Sequence, residues 1–245
     1  MLMQTYKDTT MTTSNSKRRL YLLVHGLTPL GMPSTMVAFR GTLINMGVPA
    51  KDILSVSYNA RGKSFLDVCE QVDHQVDERM DALDLNYVDV EFAGIGHSLG
   101  GLILRNLDLS LFYKFQQIVQ LGSPNEGVNW VDDLPLGRKA AALMFGSTII
   151  ESLESPCLQT HLQEYDKGKA AACPNMTTMY TTKQFSFWNP LSWYANLGLT
   201  GPHDGFVPVA SMYLAGAEGV QTYCDHLGVI ADLETIQFTC KKVMS

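Results

Sequence analysis

Charge is scarce in this 245-residue chain, where Asp, Glu, Lys and Arg together make up 17% of the residues. The one basic run is Lys17–Arg19, and the net charge is −6. A nucleic-acid partner is therefore excluded as the main one, because phosphate binding needs a concentrated positive face. Long apolar runs are missing too. Nowhere does the chain reach the roughly 18 consecutive apolar residues that a membrane-spanning helix requires. Its first stretch, MLMQTYKDTTMTTSNSKRR, is polar and lacks the apolar segment of a signal peptide. Residues 1–18 are expected to form a disordered leader, with Met11 as an alternative start. There are five cysteines and no C-x-x-C, which argues against the common zinc and redox motifs. Free thiols in a reducing compartment fit this usage; Cys157 with Cys173, or Cys224 with Cys240, are the pairings the spacing would otherwise suggest. The compartment stays open, with a cytoplasmic location favoured. No cofactor or metal is expected, since no acidic cluster commits the chain to one.

What is present is an alternation. RLYLLVHG (19–26) is an apolar run ending in His-Gly, a buried-strand signal. STMVAFRGTLINMG (34–47) reads as a helix, with Ser34 as its cap and Gly47 as its close. ILSVSYNA (53–60) is a second strand. Phe65, Cys69, Val72, Val76, Met80 and Leu83 recur at helical spacing. VDVEFAGIG (88–96), SLGGLILRNLDL (98–109) and FQQIVQLGSP (115–124) continue the order strand, helix, strand. Strands alternating with helices predict one α/β domain with a mostly parallel sheet covered on both faces. The domain is expected to span 19–245.

Within this frame, GIGHSLGG (94–101) places Ser98 where a strand turns directly into a helix. That position projects a hydroxyl into the crevice beyond the carboxyl ends of the strands. Gly96 and Gly100 let the turn close, and Gly101 lets the helix pack near its neighbours. The helix N-terminus aims its dipole and free N–H groups at the same spot. Ser98 is thus the candidate nucleophile.

A serine needs a base. His74 and His161 read as surface residues, and His97 faces away from the serine by its place in the elbow. His226, in VQTYCDHLGVI after every core strand, is the natural base for the chain order Ser, acid, His. Asp204 in GPHDGFVPVAS is the candidate orienting carboxylate. Asp225 is less suited, since adjacent side chains on an extended segment point apart. Two N–H donors for an oxyanion are expected from Leu99 and, after His25-Gly26, from Leu27.

LLVHGL, GIGHSLGG, LGSPNEG, HDGFVPVAS and CDHLGV occur in the order and spacing of the α/β-hydrolases of the lipase/esterase kind. The chain from residue 19 onward resembles them, most of all small lipases with a D-G-x-V-P acid loop. The resemblance implies an α/β-hydrolase fold with Ser98 as nucleophile, Asp204 as acid, His226 as base, and Leu27 and Leu99 as oxyanion donors. Residues of about 128–200 depart most and are expected to form a small helical cap insertion. Its aromatics Phe187, Trp188 and Trp193 suit an apolar acyl group. The expected function is serine hydrolysis of lipid or other hydrophobic carboxylic esters through an acyl-enzyme, with transient contact to a membrane surface. A thioesterase acting on acylated protein or acyl-CoA is the alternative within that mechanism. A non-catalytic hydrolase-fold binder is the alternative in another class.

Overall fold

The computed structural model describes residues 17–27, 36–110, 112–128, 146–154, 158, 175–183 and 201–245. Six strands form one parallel sheet: β1 (Arg18–Val24), β2 (Ile53–Val56), β3 (Val90–His97), β4 (Phe115–Leu121), β5 (Met176–Thr181) and β6 (Glu218–Thr222). Their spatial order is β2-β1-β3-β4-β5-β6. The chain leaves β1 in one direction, then returns past it to β3. The two strands flanking this reversal are β1 and β3, and in open parallel sheets the ligand site lies beyond the carboxyl ends of such a pair.

The sheet is covered on both faces because its strands are apolar on both sides. Along β1, Leu20, Leu22 and Val24 pack into one cluster, and Tyr21 and Leu23 into the other. The first cluster is closed by α2 (Phe65–Ala82) and α3 (Leu99–Leu109), through Val68, Val72, Val76, Leu102 and Ile103. The second is closed by α1 (Val37–Asn45) and the C-terminal helix, through Phe39, Leu43, Ile236 and Val243. Helix α2 starts at a full capping box, Ser64 with Asp67, which satisfies two of its free N–H groups. Helix α1 ends before Gly47, whose φ of +98° favours glycine, as expected. Its N-terminal flanking residue is Met36, and Ser34 lies outside the described residues.

Part of the stretch expected to form the cap belongs to the sheet. Met176–Thr181 is β5, which pairs with β4 and β6. The short helix α4 (Ser147–Leu153) buries Ile149, Ile150 and Leu153 in the α2–α3 cluster. An MTTMYT strand has no apolar run to betray it; its three threonines, all buried, are carried by the ladder and by side-chain hydrogen bonds. Most of the rest of 128–200 lies outside the described residues, including Phe187, Trp188, Trp193, Cys157 and Cys173. Helix α5 (Val209–Met212) and helix α6 (Leu233–Met244) complete the described elements. Cys69, Cys224 and Cys240 are free thiols, so Cys224 is not bonded to Cys240. No helix among the described residues is long and apolar enough to cross a membrane.

Leu22 is fully buried on a central strand. Leu22→Ala should cost roughly 2–5 kcal/mol of stability through lost transfer energy and the cavity left behind. Urea unfolding at neutral pH checks this; a loss under about 1 kcal/mol would mean the cluster collapses around the site.

Candidate active site

The site grows from glycine. At the end of β3 the chain reverses sharply into α3, and Ser98 takes φ +52° and ψ −122°, a conformation that L-residues rarely adopt. Such strain costs on the order of 1–3 kcal/mol and persists only where the surroundings impose it. Here they do. The Ser98 N–H donates to the Leu121 carbonyl at 2.9 Å, tying the turn to the end of β4. A Cβ on Gly96 would come within 2.6 Å of the Gly100 backbone, and one on Gly100 would collide with the Val24 and His25 carbonyl oxygens. The elbow thus closes backbone on backbone against the end of β1. A Cβ on Gly26 would lie 2.8 Å from the Ser98 Cβ. Leu27, next in the chain, is partly buried against the core beside the turn. Leu99 is the first residue of α3, so its N–H has no acceptor within the helix.

The turn after β1 has its own supports. Tyr58 donates its hydroxyl to the His25 carbonyl at 2.7 Å and stacks on the His25 ring at 4.3 Å. His25 Nδ1 donates to the Gly26 carbonyl at 2.6 Å. On the other flank, Gln120 Nε2 donates to the Gly101 carbonyl at 2.8 Å, and Asn125 Nδ2 donates to Gln120 at 2.9 Å. These residues, from β4 and the LGSPNEG segment, brace the first turn of α3.

The carboxyl ends of β5 and β6 deliver the other two candidates. Asp204 lies in the loop after β5, and His226 in the loop after β6. His226 Nε2 is 3.0 Å from Ser98 Oγ, and His226 Nδ1 is 2.7 Å from Asp204 Oδ2. Residues 128 apart in sequence thus share one hydrogen-bonded line. Asp204 is fully buried, and each of its oxygens is satisfied. Oδ1 accepts from the Phe206 and Val207 N–H groups at 3.0 and 2.7 Å. Oδ2 accepts from the Thr181 hydroxyl as well as from His226. Burial pushes this carboxyl up, but the His226 charge and these hydrogen bonds outweigh it and hold it below the usual carboxylate range. Gly122, at φ +58°, passes beneath the pair; a Cβ there would lie 3.2 Å from Asp204 and 3.3 Å from His226.

Asp225 does something else. Its carboxylate accepts the Leu227 and Gly228 N–H groups at 3.0 and 2.7 Å, closing the turn after His226. Two further side chains at the site lie within HDGFVPVAS and GIGHSLGG, where nothing marks the contacts they make. Phe206 stacks on the His226 ring at 5.0 Å with an interplanar angle of 25°. His97 Nε2 donates to the His226 carbonyl at 2.8 Å. Through this bond His97 joins the same site at the His226 main chain. Thr181, a third such residue, lies in none of the quoted motifs. His74 is exposed beside Glu78, as expected of a surface histidine. The proposed acyl contacts Phe187, Trp188 and Trp193 lie outside the described residues.

The fold and this elbow define an α/β-hydrolase. The chain belongs to the palmitoyl protein thioesterase family, which it matches over residues 21–185. It is thereby a hydrolase of the kind that cleaves ester or thioester bonds. Solved structures share the fold. The mature Bacillus licheniformis lipase BlEst2 superposes with a TM-score of 0.68 at 17% identity, over 93% of each chain. The Legionella pneumophila phospholipase PlaB gives 0.61 at 20% identity, over 80% of this chain and 45% of that one. A carboxylesterase structure from the thaumarchaeon Nitrososphaera gargenis gives 0.54 at 9% identity, over 94% and 90%. No curated protein matches in sequence.

Burial lowers the His25 and His203 imidazoles, and it drives His97 from the ordinary 6.5 down to about 3, with the neighbouring His226 charge adding to the effect. The unfolded chain therefore takes up protons below about pH 6.5 that the folded chain refuses. Stability should fall as the pH drops from 6.5 towards 3, with His97 alone contributing up to about 1.4 kcal/mol per pH unit. Urea midpoints at pH 7.5, 6 and 5 test this. His97→Gln should flatten the slope, and an unchanged slope would show that His97 titrates normally.

Proposed function

We propose that this chain is a serine hydrolase that cleaves hydrophobic acyl esters or thioesters through an acyl-enzyme. The observation that carries this reading is the line from Asp204 Oδ2 through His226 to Ser98 Oγ, at 2.7 and 3.0 Å. With its proton on Nδ1 facing Asp204, His226 offers a free Nε2 lone pair to the Ser98 hydroxyl. Ser98 Oγ attacks the acyl carbonyl while His226 takes its proton. The carbonyl oxygen becomes an oxyanion held by the N–H groups of Leu27 and Leu99. Asp204 keeps the tautomer and balances the imidazolium. Collapse of the tetrahedral species expels the alcohol or thiol, which His226 protonates. Water then repeats the sequence and frees the acid.

Family membership favours a thioester of a long-chain acyl group on protein as the second reading, since the matched family is described as palmitoyl protein thioesterase. The chemistry accommodates either bond. A thiolate is a better leaving group than an alkoxide, so a thioester relies less on proton return from His226. On sequence grounds Phe187, Trp188 and Trp193 would contact the acyl chain, where each added methylene contributes about 0.8 kcal/mol. A membrane surface is the natural place to meet such substrates.

Ser98→Ala should abolish both turnover and labelling by a fluorophosphonate probe while leaving the unfolding midpoint near wild type. Labelling that survives the substitution would remove Ser98 from the mechanism, and a wild type that is neither labelled nor active would leave a binding protein. Matched palmitoyl ester and palmitoyl thioester substrates then decide the bond cleaved, by their kcat/KM values.

The acid assignment is tested separately. Asp204→Asn should lower kcat by on the order of 10⁴-fold, because the wrong imidazole tautomer then faces Ser98. Asp225→Asn should stay within about tenfold of wild type, since an amide oxygen still accepts the two turn N–H groups. The reverse ranking would make Asp225 the acid.

A further inference from the structure

We propose that His97 and Phe206 are positioning residues for the His226 imidazole, His97 holding it through the main chain and Phe206 through the ring face. The proposal rests on the reading of His226 as the general base. The loop that carries His226 has little packing of its own. Tyr223 is 79% exposed and Leu227 is 45% exposed, yet His226 between them is only 5% exposed. Asp225 closes the turn that follows through the Leu227 and Gly228 N–H groups, and contacts from outside the loop hold His226 itself.

The peptide groups on either side of the His226 Cα are both tied. The His226 N–H donates to the Asp204 carbonyl at 2.9 Å, and the His226 carbonyl accepts from His97 Nε2 at 2.8 Å. A carbonyl can only accept, so the His97 proton sits on Nε2. His97 is the last residue of β3, on the rigid centre of the sheet and next to Ser98 in the chain. The hydrogen bond therefore references the base directly to the strand that carries the nucleophile. It joins residues 129 apart in sequence.

The rings complete the clamp. Phe206 lies over one region of the imidazole at 5.0 Å and 25°, and the His97 ring lies 4.9 Å away at 44°. Phe206 is itself set by the acid, because its N–H donates to Asp204 Oδ1 at 3.0 Å. One carboxylate thus orients the imidazole edge and the aromatic that stacks on its face. The π face of Phe206 also favours the imidazolium that forms as Ser98 loses its proton. Burial keeps His97 uncharged down to a pH of about 3, so it holds the backbone without repelling that cation. A general base must sit within a fraction of an ångström of its proton, and a small displacement can cost roughly 100-fold in rate.

Four variants test the clamp. His97→Leu deletes the donor, and His97→Gln returns an amide N–H at similar reach. Phe206→Leu deletes the π face, and Phe206→Tyr restores it. Kinetics are measured on p-nitrophenyl acetate and p-nitrophenyl decanoate, with unfolding midpoints recorded alongside. His97→Leu should lower kcat by roughly 10- to 100-fold with KM within about threefold, and His97→Gln should recover most of the loss. Phe206→Leu should lower kcat roughly three- to tenfold, equally on both esters, with Phe206→Tyr close to wild type. If His97→Leu does not fold, His97→Asn, whose shorter amide falls short of the carbonyl, takes its place. A folded donor-deletion variant with wild-type kcat overturns the role of His97, as does equal loss in His97→Gln. A Phe206 effect confined to the decanoate ester would make Phe206 an acyl contact and overturn its role here. The downfield proton resonance of the His226–Asp204 bond provides a readout that needs no turnover. It should exchange faster with water in His97→Leu and Phe206→Leu, and an unchanged resonance in both would overturn the clamp. A wild type that lacks fluorophosphonate labelling yet shows this pattern would refute the hydrolase reading alone.

Discussion

Two strand ends meet at the centre of this molecule with almost nothing between them. The turn after β1 and the elbow after β3 touch through backbone, with Gly100 against the carbonyls of Val24 and His25 and Gly26 against Ser98. Parallel strands in the order β2-β1-β3 force this meeting, because the chain reverses its direction of travel across the sheet between β1 and β3. Any side chain at these glycines would push the ends apart. The strained Ser98 backbone and the place of Leu27 beside it both depend on that closeness. The hydrophobic clusters on either face supply the stability that offsets the strain.

The charge of the site is managed in the same economical geometry. Asp204 is taken out of water completely, a cost of several kcal/mol for an unpaired carboxylate. It is compensated because both oxygens find donors: two backbone N–H groups from its own loop, the Thr181 hydroxyl at the end of β5, and His226. The surrounding histidines are arranged so that they carry no competing charge. His25, His97 and His203 are all lowered by burial. Each spends a ring nitrogen on the backbone: His25 on Gly26, His97 on His226, and His203 as acceptor from the Gly205 N–H at 3.0 Å. Three imidazoles thus serve as neutral hydrogen-bonding struts around a fourth.

The layers of the site differ in how rigidly they are held. His97 ends the central strand β3 and Ser98 follows it directly, whereas His226 follows β6, an edge strand with largely exposed side chains. His97 joins the two, because its Nε2 donates to the His226 carbonyl, and Asp204 holds His226 further through its N–H and its imidazole. A site assembled from the end of a central strand and a loop after an edge strand depends on such cross-links, since a loop by itself leaves a side chain many orientations to sample.

Much of this was legible in one dimension. The strand and helix periods from residue 19 to 124 show through because local side-chain spacing and local conformation obey the same geometry. The elbow shows because glycine at 96, 100 and 101 is needed for a turn made within a few residues. Asp204 and His226 could be chosen by residue type, loop context and chain order. Strand β5 could not, since its threonines satisfy the sheet through ladder and side-chain bonds and leave no apolar period. Nor could Thr181, Tyr58, His97 and Phe206 be given their roles. Their partners lie from 20 residues away to well over a hundred, and a hydrogen bond or ring contact at that separation leaves no trace in local spacing. The residue types able to do the chemistry were set by the sequence alone; which of them stand within 3 Å of one another was decided by the sheet, because only strand order and register bring distant loop ends to one edge.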